Sequence, residues 1–361
     1  MKVLHCINSP HIGGIERLVI ELAIAQKRQG IDVTIMLDTI EGQYYQYLLN
    51  QDIPILKSNI KGALDINLNT FRYLKNTFKQ FNIVHLHSFS PIRSFAATKS
   101  DVSTVYTIHG LSKGVRKENI LKFYLRETFK KHLLNKITVF IANSNYTLNL
   151  AKKHYGLANI NVRVVLNGVK MDSDGKYVMS NNKDFTVGLV SRFTPRKRID
   201  RLVHSFKQYL DLGGKGKLVL VGDGSEYAAI KALVTKLNLG RNIELTGYKT
   251  NVQDYYQNFD ICVFPSEAEP FGLVGVEAYL YGKPVLAFEN SGGLKEVIEP
   301  LEPENIVKNE THLAERMLYY LNNKNLISEN AEKRMAYAKN NFSVERMERD
   351  YFKTYIEILN S

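Results

Sequence analysis

Cysteine is nearly absent from this chain, and so is any long apolar run. The two thiols, Cys6 and Cys262, fall in strand-like segments of opposite halves, so no disulfide framework is expected and a reducing cytoplasm fits. Neither thiol is accompanied by histidines clustered along the chain, which argues against a metal site. No window approaches eighteen uninterrupted apolar residues, so no transmembrane helix is expected. The start, MKVLHCINSP, runs straight into a strand and lacks the apolar core and cleavage site of a signal peptide. Internal repeats and low-complexity segments are missing too. What is present, 44% hydrophobic and 23% charged residues, describes a folded globular protein. Acidic residues are scarce in one half only. Residues 1–168 carry 22 Lys and Arg against 10 Asp and Glu, whereas residues 169–361 carry 26 of each. The whole net charge of +12 therefore belongs to the first half, which suggests an anionic partner for that half alone.

A chain of 361 residues suits two domains. Apolar strands alternate with amphipathic helices: strands at 2–7, 32–37, 83–87, 103–108, 138–142 and 162–165, helices at 15–29, 68–81 and 145–154. Such alternation means βαβ units and a parallel sheet. Residues 169–184 are polar, have no apolar period and read as a linker. The pattern then restarts with strands at 186–190, 218–221, 243–245, 261–264 and 284–288, and helices at 199–210, 226–237 and 273–281. The expected class is α/β: a Rossmann-like domain over 1–168, a second over 185–342, the two facing across a cleft, and a final helix over 343–361 capped by Ser343.

Several residues are placed where such sheets bind ligands, at the carboxyl ends of strands. Glu269 follows the strand 261–264, and Glu277 stands eight positions later on the next helix. Two carboxylates so spaced can each hold a sugar diol. Arg192 and Lys197 lie between strand 186–190 and its helix, where a planar fork and a point charge could share a diphosphate. Gly13 and Gly14 join the first strand to the first helix and allow close backbone approach, with free N–H groups at the helix start. Glu16 reads as a first-turn partner of the helix dipole. His109-Gly110 ends the strand 103–108. Gly222-Asp223-Gly224 and Ser291-Gly292-Gly293, with Glu296 beyond, form further strand-end turns. His85 and His87 read as solvated strand-end residues. Asp172-Ser-Asp174 has the form of a metal-binding Asp-x-Asp, but its place in a linker argues against that role. Residues 116–136 form a basic helix with Ile120, Leu121, Tyr124, Leu125, Phe129 and Leu133 on one side, suited either to packing on the sheet or to an anionic membrane surface.

These motifs resemble, in order, those of the retaining glycosyltransferases of family 4, which have the GT-B fold; the resemblance implies that the last helix crosses back to the first domain. PSEAEPFGLVGVEAYL resembles the Glu-x7-Glu signature, and GLVSRFTPRKRIDRLVHSF the diphosphate loop. Gly13-Gly14, His109-Gly110 and Asn167-Gly168-Val169 match the glycine loop, the active-site histidine and the end of the first domain. One departure stands out: Lys197-Arg198 replaces the usual Lys-Gly. The resemblance implies transfer of a hexose or N-acetylhexosamine, with retention, from a nucleotide diphosphate sugar, UDP being the commonest base, to a saccharide or lipid-linked saccharide acceptor in surface polysaccharide assembly. It implies no metal and no cofactor beyond the donor. His109, Arg192, Lys197 and Glu269 would be catalytic. Gly13, Gly14, Gly222, Phe271, Gly272, Leu273 and Glu277 would line the donor site with Arg192, Lys197 and Glu269, Glu277 holding the ribose. The enzyme would be cytoplasmic and peripheral on the inner face of the cell membrane, its basic half against anionic lipid. A nucleotide-sugar 2-epimerase shares the fold but generally lacks this combination of Arg, Lys and paired Glu. A nucleic-acid-binding protein would account for the charge, yet no nucleic-acid motif is present and no aromatic residues are interleaved with the basic ones.

Overall fold

A computed structural model describes the chain except residues 12, 63–64, 112–119, 158–160, 172–176, 178–183 and 361, and except the side chains of 120–123 and 126. Most of the expected linker, including Asp172 and Asp174, lies outside the described residues. The chain forms two compact units, one of Met1–Lys170 with Val344–Ser361, the other of Met171–Ser343.

Unit 1 runs β1 (Lys2–Ile7), α1 (Gly14–Arg28), β2 (Asp32–Leu37), α2 (Tyr44–Leu49), β3 (Ile55–Lys57), α3 (Leu68–Phe78), β4 (Ile83–Leu86), α4 (Pro91–Ala97), β5 (Ser103–Ile108), α5 (Ile120–Leu134), β6 (Val139–Ala142), α6 (Asn145–Tyr155) and β7 (Asn161–Val164). Its seven parallel strands are ordered β3-β2-β1-β4-β5-β6-β7. The chain winds outward from β1 and then returns to start β4 on the other side of it, so the switch point lies between β1 and β4. Both faces of the central strands are covered, so their side chains alternate between two buried layers rather than between core and solvent. Val3, Ile7, Ile83 and Val105 pack toward α1, whereas Leu4, Cys6, Val84 and Tyr106 pack on the opposite face with Leu74 and Ala151.

Unit 2 runs β8 (Thr186–Val190), α7 (Ile199–Asp211), β9 (Lys217–Val221), α8 (Tyr227–Lys236), β10 (Ile243–Gly247), α9 (Gln253–Asn258), β11 (Ile261–Phe264), α10 (Leu273–Leu280), β12 (Val285–Phe288), α11 (Gly293–Ile298), β13 (Ile306–Val307), α12 (Glu310–Asn322), α13 (Asn325–Glu329) and α14 (Ala331–Phe342). Its six parallel strands are ordered β10-β9-β8-β11-β12-β13, with the switch point between β8 and β11. The last helix, α15 (Val344–Leu359), belongs to unit 1, as expected. It lays Met347, Tyr351, Tyr355 and Ile358 into the α1 face of that core.

Candidate active site

In unit 2 the expected side chains stand on the loops that leave β8, β9, β11 and β12, around the switch point. Lys197 closes a 3-10 turn, Pro195–Lys197, whose first φ is fixed by the proline ring. Its Nζ pairs with Glu269 Oε1, and the two side chains are only 17% and 7% exposed. Glu269 is held by its backbone as well as by this pair. Its N–H donates to the Ser291 carbonyl at 3.0 Å, and its carbonyl accepts from Gly293 N–H at 2.7 Å. Glu267 N–H donates to the Arg196 carbonyl at 2.9 Å. The loops after β8, β11 and β12 are thus fastened together, with a partly buried cation and a buried carboxylate at their junction.

Arg192 is exposed, and its guanidinium has no partner among the described residues. Gly222 has φ +139°, and a Cβ there would run into the Ser191 carbonyl, so only glycine lets the β9 loop lie against the loop that carries Arg192. Gly272 caps α10 at φ +100°. Leu273, partly buried, is the first residue of that helix. The Phe271 ring is buried edge-on against Phe342, with centroids 5.8 Å apart, so the ring itself is not open to a ligand. Glu277, one turn along the helix, accepts from the Tyr256 hydroxyl at 3.2 Å. Nothing in the sequence pointed to Tyr256 as its support.

Arg198 explains how the departure from Lys-Gly is tolerated. It adopts φ +46°, ψ +43°, the left-handed conformation that glycine takes without strain. Its guanidinium reaches Glu267 at 2.6 Å and Asp200 at 3.1 Å. Strain of order 1 kcal/mol or more is offset by these partly exposed pairs, worth up to about 1 kcal/mol each. Arg198→Gly should therefore shift the unfolding free energy by less than about 1 kcal/mol, measured by urea denaturation. A loss above 3 kcal/mol would show that the arginine does more than hold the turn.

In unit 1, Gly13 is the N-cap of α1 and Gly14 its first residue. The Glu16 carboxylate folds back over Gly13, into the space a side chain there would take, where it meets the positive end of the helix dipole. His109 follows β5 and is partly buried. Desolvation lowers its pKa to about 4, so it is neutral at physiological pH.

Two expectations fail here. His85 and His87 are not solvated: they are 0% and 3% exposed. Nor are histidines unclustered, because His5, His85 and His87 bring ligand-type atoms within 4.8 Å of one another. The reason is strand order. β1 and β4 are neighbours in register, His5 opposite His85, although some eighty residues separate them in sequence. Period-two alternation turns His5, His85, His87, Thr107 and His109 toward the face covered by α1 and α15. His85 Nδ1 meets the Tyr355 hydroxyl at 2.6 Å and its Nε2 meets Thr107 Oγ1 at 2.7 Å. Thr107 in turn lies 3.2 Å from the Tyr351 hydroxyl.

Two parallel-sheet Rossmann-like units in one chain are the architecture of the GT-B class of glycosyltransferases. Residues 12–173 match the family described as Glycosyltransferase Family 4, and residues 174–342 the one described as Glycosyl transferases group 1. An uncharacterised glycosyltransferase of Methanocaldococcus jannaschii is 30% identical over 373 aligned positions, covering 99% of both chains. The chain therefore belongs to this glycosyltransferase family. The capsular polysaccharide biosynthesis glycosyltransferase CapM of Staphylococcus aureus is 27% identical, over 54% of each chain. The crystal structure of Anabaena HepE in complex with UDP matches with a TM-score of 0.80 at 21% identity, covering 99% of this chain and 100% of that one. At that identity the likeness speaks for the fold.

Proposed function

We propose that the protein transfers a hexose or N-acetylhexosamine from a UDP-sugar to a lipid-linked saccharide, with retention and without a metal ion, in the assembly of a surface polysaccharide. The observation that carries this reading is the buried Lys197–Glu269 pair at the switch point of unit 2. The departing nucleoside diphosphate develops negative charge, and a fixed cation there stabilises it in the transition state. Arg192, exposed and unpartnered among the described residues, is the second cation. Glu269 holds hydroxyls of the donor sugar, Glu277 the ribose, and Gly13, Gly14 and Gly222 let backbone approach the donor. His109 contacts the transferred sugar. Binding of UDP by HepE and the role in CapM's name support the donor class and the pathway. Incubation with a panel of UDP-, GDP- and ADP-sugars tests the donor directly: slow hydrolysis of a UDP-sugar is expected, and hydrolysis of GDP-sugars alone would reassign the base.

Retention by double displacement needs a carboxylate on the face opposite the leaving group, and no residue of these motifs is an evident candidate. The proposed route is same-face attack, in which the departing phosphate oxygen takes the acceptor proton. Trapping a glycosyl adduct on any residue would refute it.

The acceptor side is argued from α5. Tyr124, Leu125 and Phe129 are 64%, 63% and 43% exposed, while Leu133 and Leu134 are buried. The helix thus packs by its last turn and leaves apolar side chains outside, among basic ones; its N-terminal extension 116–119 lies outside the described residues. Among the described residues no helix is long and apolar enough to cross a membrane, and the reading is peripheral contact with anionic lipid at the inner face of the cell membrane. The protein should co-sediment with vesicles rich in phosphatidylglycerol and not with neutral ones, and release them as salt rises. Equal binding to both kinds would remove the electrostatic argument.

A further inference from the structure

The histidine cluster is more than a filled core. His109 Nε2 lies 3.2 Å from His87 Nδ1, His87 Nε2 lies 2.9 Å from His5 Nδ1, and His5 Nε2 lies 2.7 Å from Gln26 Oε1. The three histidines and the glutamine form one chain of hydrogen bonds from the interior of unit 1 to His109. With the two contacts of His85, every ring nitrogen of His5, His85 and His87 has a hydrogen-bond partner. Each neutral ring's one lone pair then accepts a hydrogen bond, which a metal ion at this cluster would have to displace.

The direction of the chain follows from its inner end. With the Gln26 carboxamide oxygen turned to His5 and the Gln26 amide nitrogen left without a hydrogen-bond partner among the described residues, His5 Nε2 carries the hydrogen, and in a neutral imidazole Nδ1 is then bare. A bare His5 Nδ1 can only accept, which puts the hydrogen of His87 on Nε2 and leaves its Nδ1 bare. His109 must then donate from Nε2, and its Nδ1 is left as a pure acceptor. Charging His5 or His87 would set N–H against N–H. Burial keeps the rings neutral: desolvation lowers His5 to about 4 and takes His87 well below the ordinary histidine range. The buried Arg93 guanidinium also opposes a charge on His87.

We propose that Gln26, His5 and His87 form a one-way hydrogen-bond relay that fixes the tautomer and ring orientation of His109, presenting its Nδ1 as an acceptor for a sugar hydroxyl. His5 and His87 are positioning residues; only His109 touches substrate. The relay rests on the assignment of His109 to the transferred sugar. It gives His109 a single role, that of a neutral acceptor.

The test is nitrogen-15 NMR of histidine-labelled protein, joined to kinetics on the UDP-sugar panel. In the wild type His109 should show one tautomer, with hydrogen on Nε2, and stay neutral well below pH 6. His87→Leu removes the acceptor. It should leave His109 as a mixture of tautomers, still neutral because burial persists, and lower kcat roughly ten- to a hundredfold through misplacement, with KM for the donor little changed. His87→Asn carries an amide oxygen close to the lost Nδ1 and should recover most of the rate and the single tautomer. Hydrogen on Nδ1 of His109 would overturn the relay, as would a metal ion retained by the purified protein on His5, His85 and His87. So would a His87→Leu protein with unchanged spectra and rate. His109→Ala separates the two claims. Wild-type turnover there would overturn the sugar contact and with it the relay's purpose, while the spectra judge the relay itself.

Discussion

Lys197→Ala should lower nucleotide-sugar turnover by about 2 to 4 kcal/mol of transition-state stabilisation, roughly 30- to 900-fold, while activity of the wild type survives excess EDTA. At a site this sheltered, the lysine charge acts on the leaving diphosphate through little water, and its position is set in advance by the 3-10 turn and by Glu269. The same substitution strands the Glu269 carboxylate, 6% exposed, so stability should fall as well, as it does when one partner of a buried pair is removed. Lys197→Ala combined with Glu269→Gln removes the stranded charge and should recover stability without recovering turnover. Glu269→Ala should depress kcat, whereas Glu277→Ala should chiefly raise KM for the donor. If EDTA abolished activity and Mn²⁺ or Mg²⁺ restored it, the role given to the two cations would be wrong.

Unit 1 should lose stability in mild acid, and unit 2 should not follow it. His5 and His109 are held neutral with folded pKa values of about 4, against about 6.5 in the unfolded chain. His85 and His87 are shifted in the same direction by burial. The sign is fixed by which state binds more protons. Above pH 6.5 neither state is protonated at these sites, and the full stability is present. As pH falls from 6.5 toward 4 the unfolded chain takes up protons that the folded unit refuses, and stability drops. The loss from His5 and His109 together is of order a few kcal/mol once both states are compared below pH 4. Among the titratable groups around the cluster, Arg93 reinforces the shift of His87, and Tyr351 and Tyr355 stay uncharged through this range. Amide hydrogen exchange followed by fragment should show β1, β4 and β5 opening progressively between pH 6.5 and 4. Protection in those strands that does not change with pH would contradict the buried neutral cluster.

The strands were legible because parallel sheets buried on both faces leave continuous apolar runs. β1, β2, β5, β8 and β11 fall on the expected residues. The short edge strands β3 and β13, two to three residues each, carry too little pattern to stand out from loops. The loop positions of Arg192, Lys197 and Glu269 could be read because they follow strong strands directly. The pairing of Lys197 with Glu269 could not, since it depends on β8 and β11 being neighbours across the switch point. His85 and His87 were misjudged for a similar reason. His85 is covered by α15, whose Tyr355 meets it from 270 residues away, and His87 packs on His5, His85 and His109; no local window contains these partners.

Real-time proton NMR of a UDP-α-sugar incubated with the enzyme, and with no acceptor, tests the central claim most directly. Water then takes the place of the acceptor, and the first anomer released reports the stereochemistry before the free sugar equilibrates. The account predicts release of the α-anomer first, with excess EDTA present and at a rate strongly reduced in Lys197→Ala. Release of the β-anomer first would contradict same-face transfer at this site.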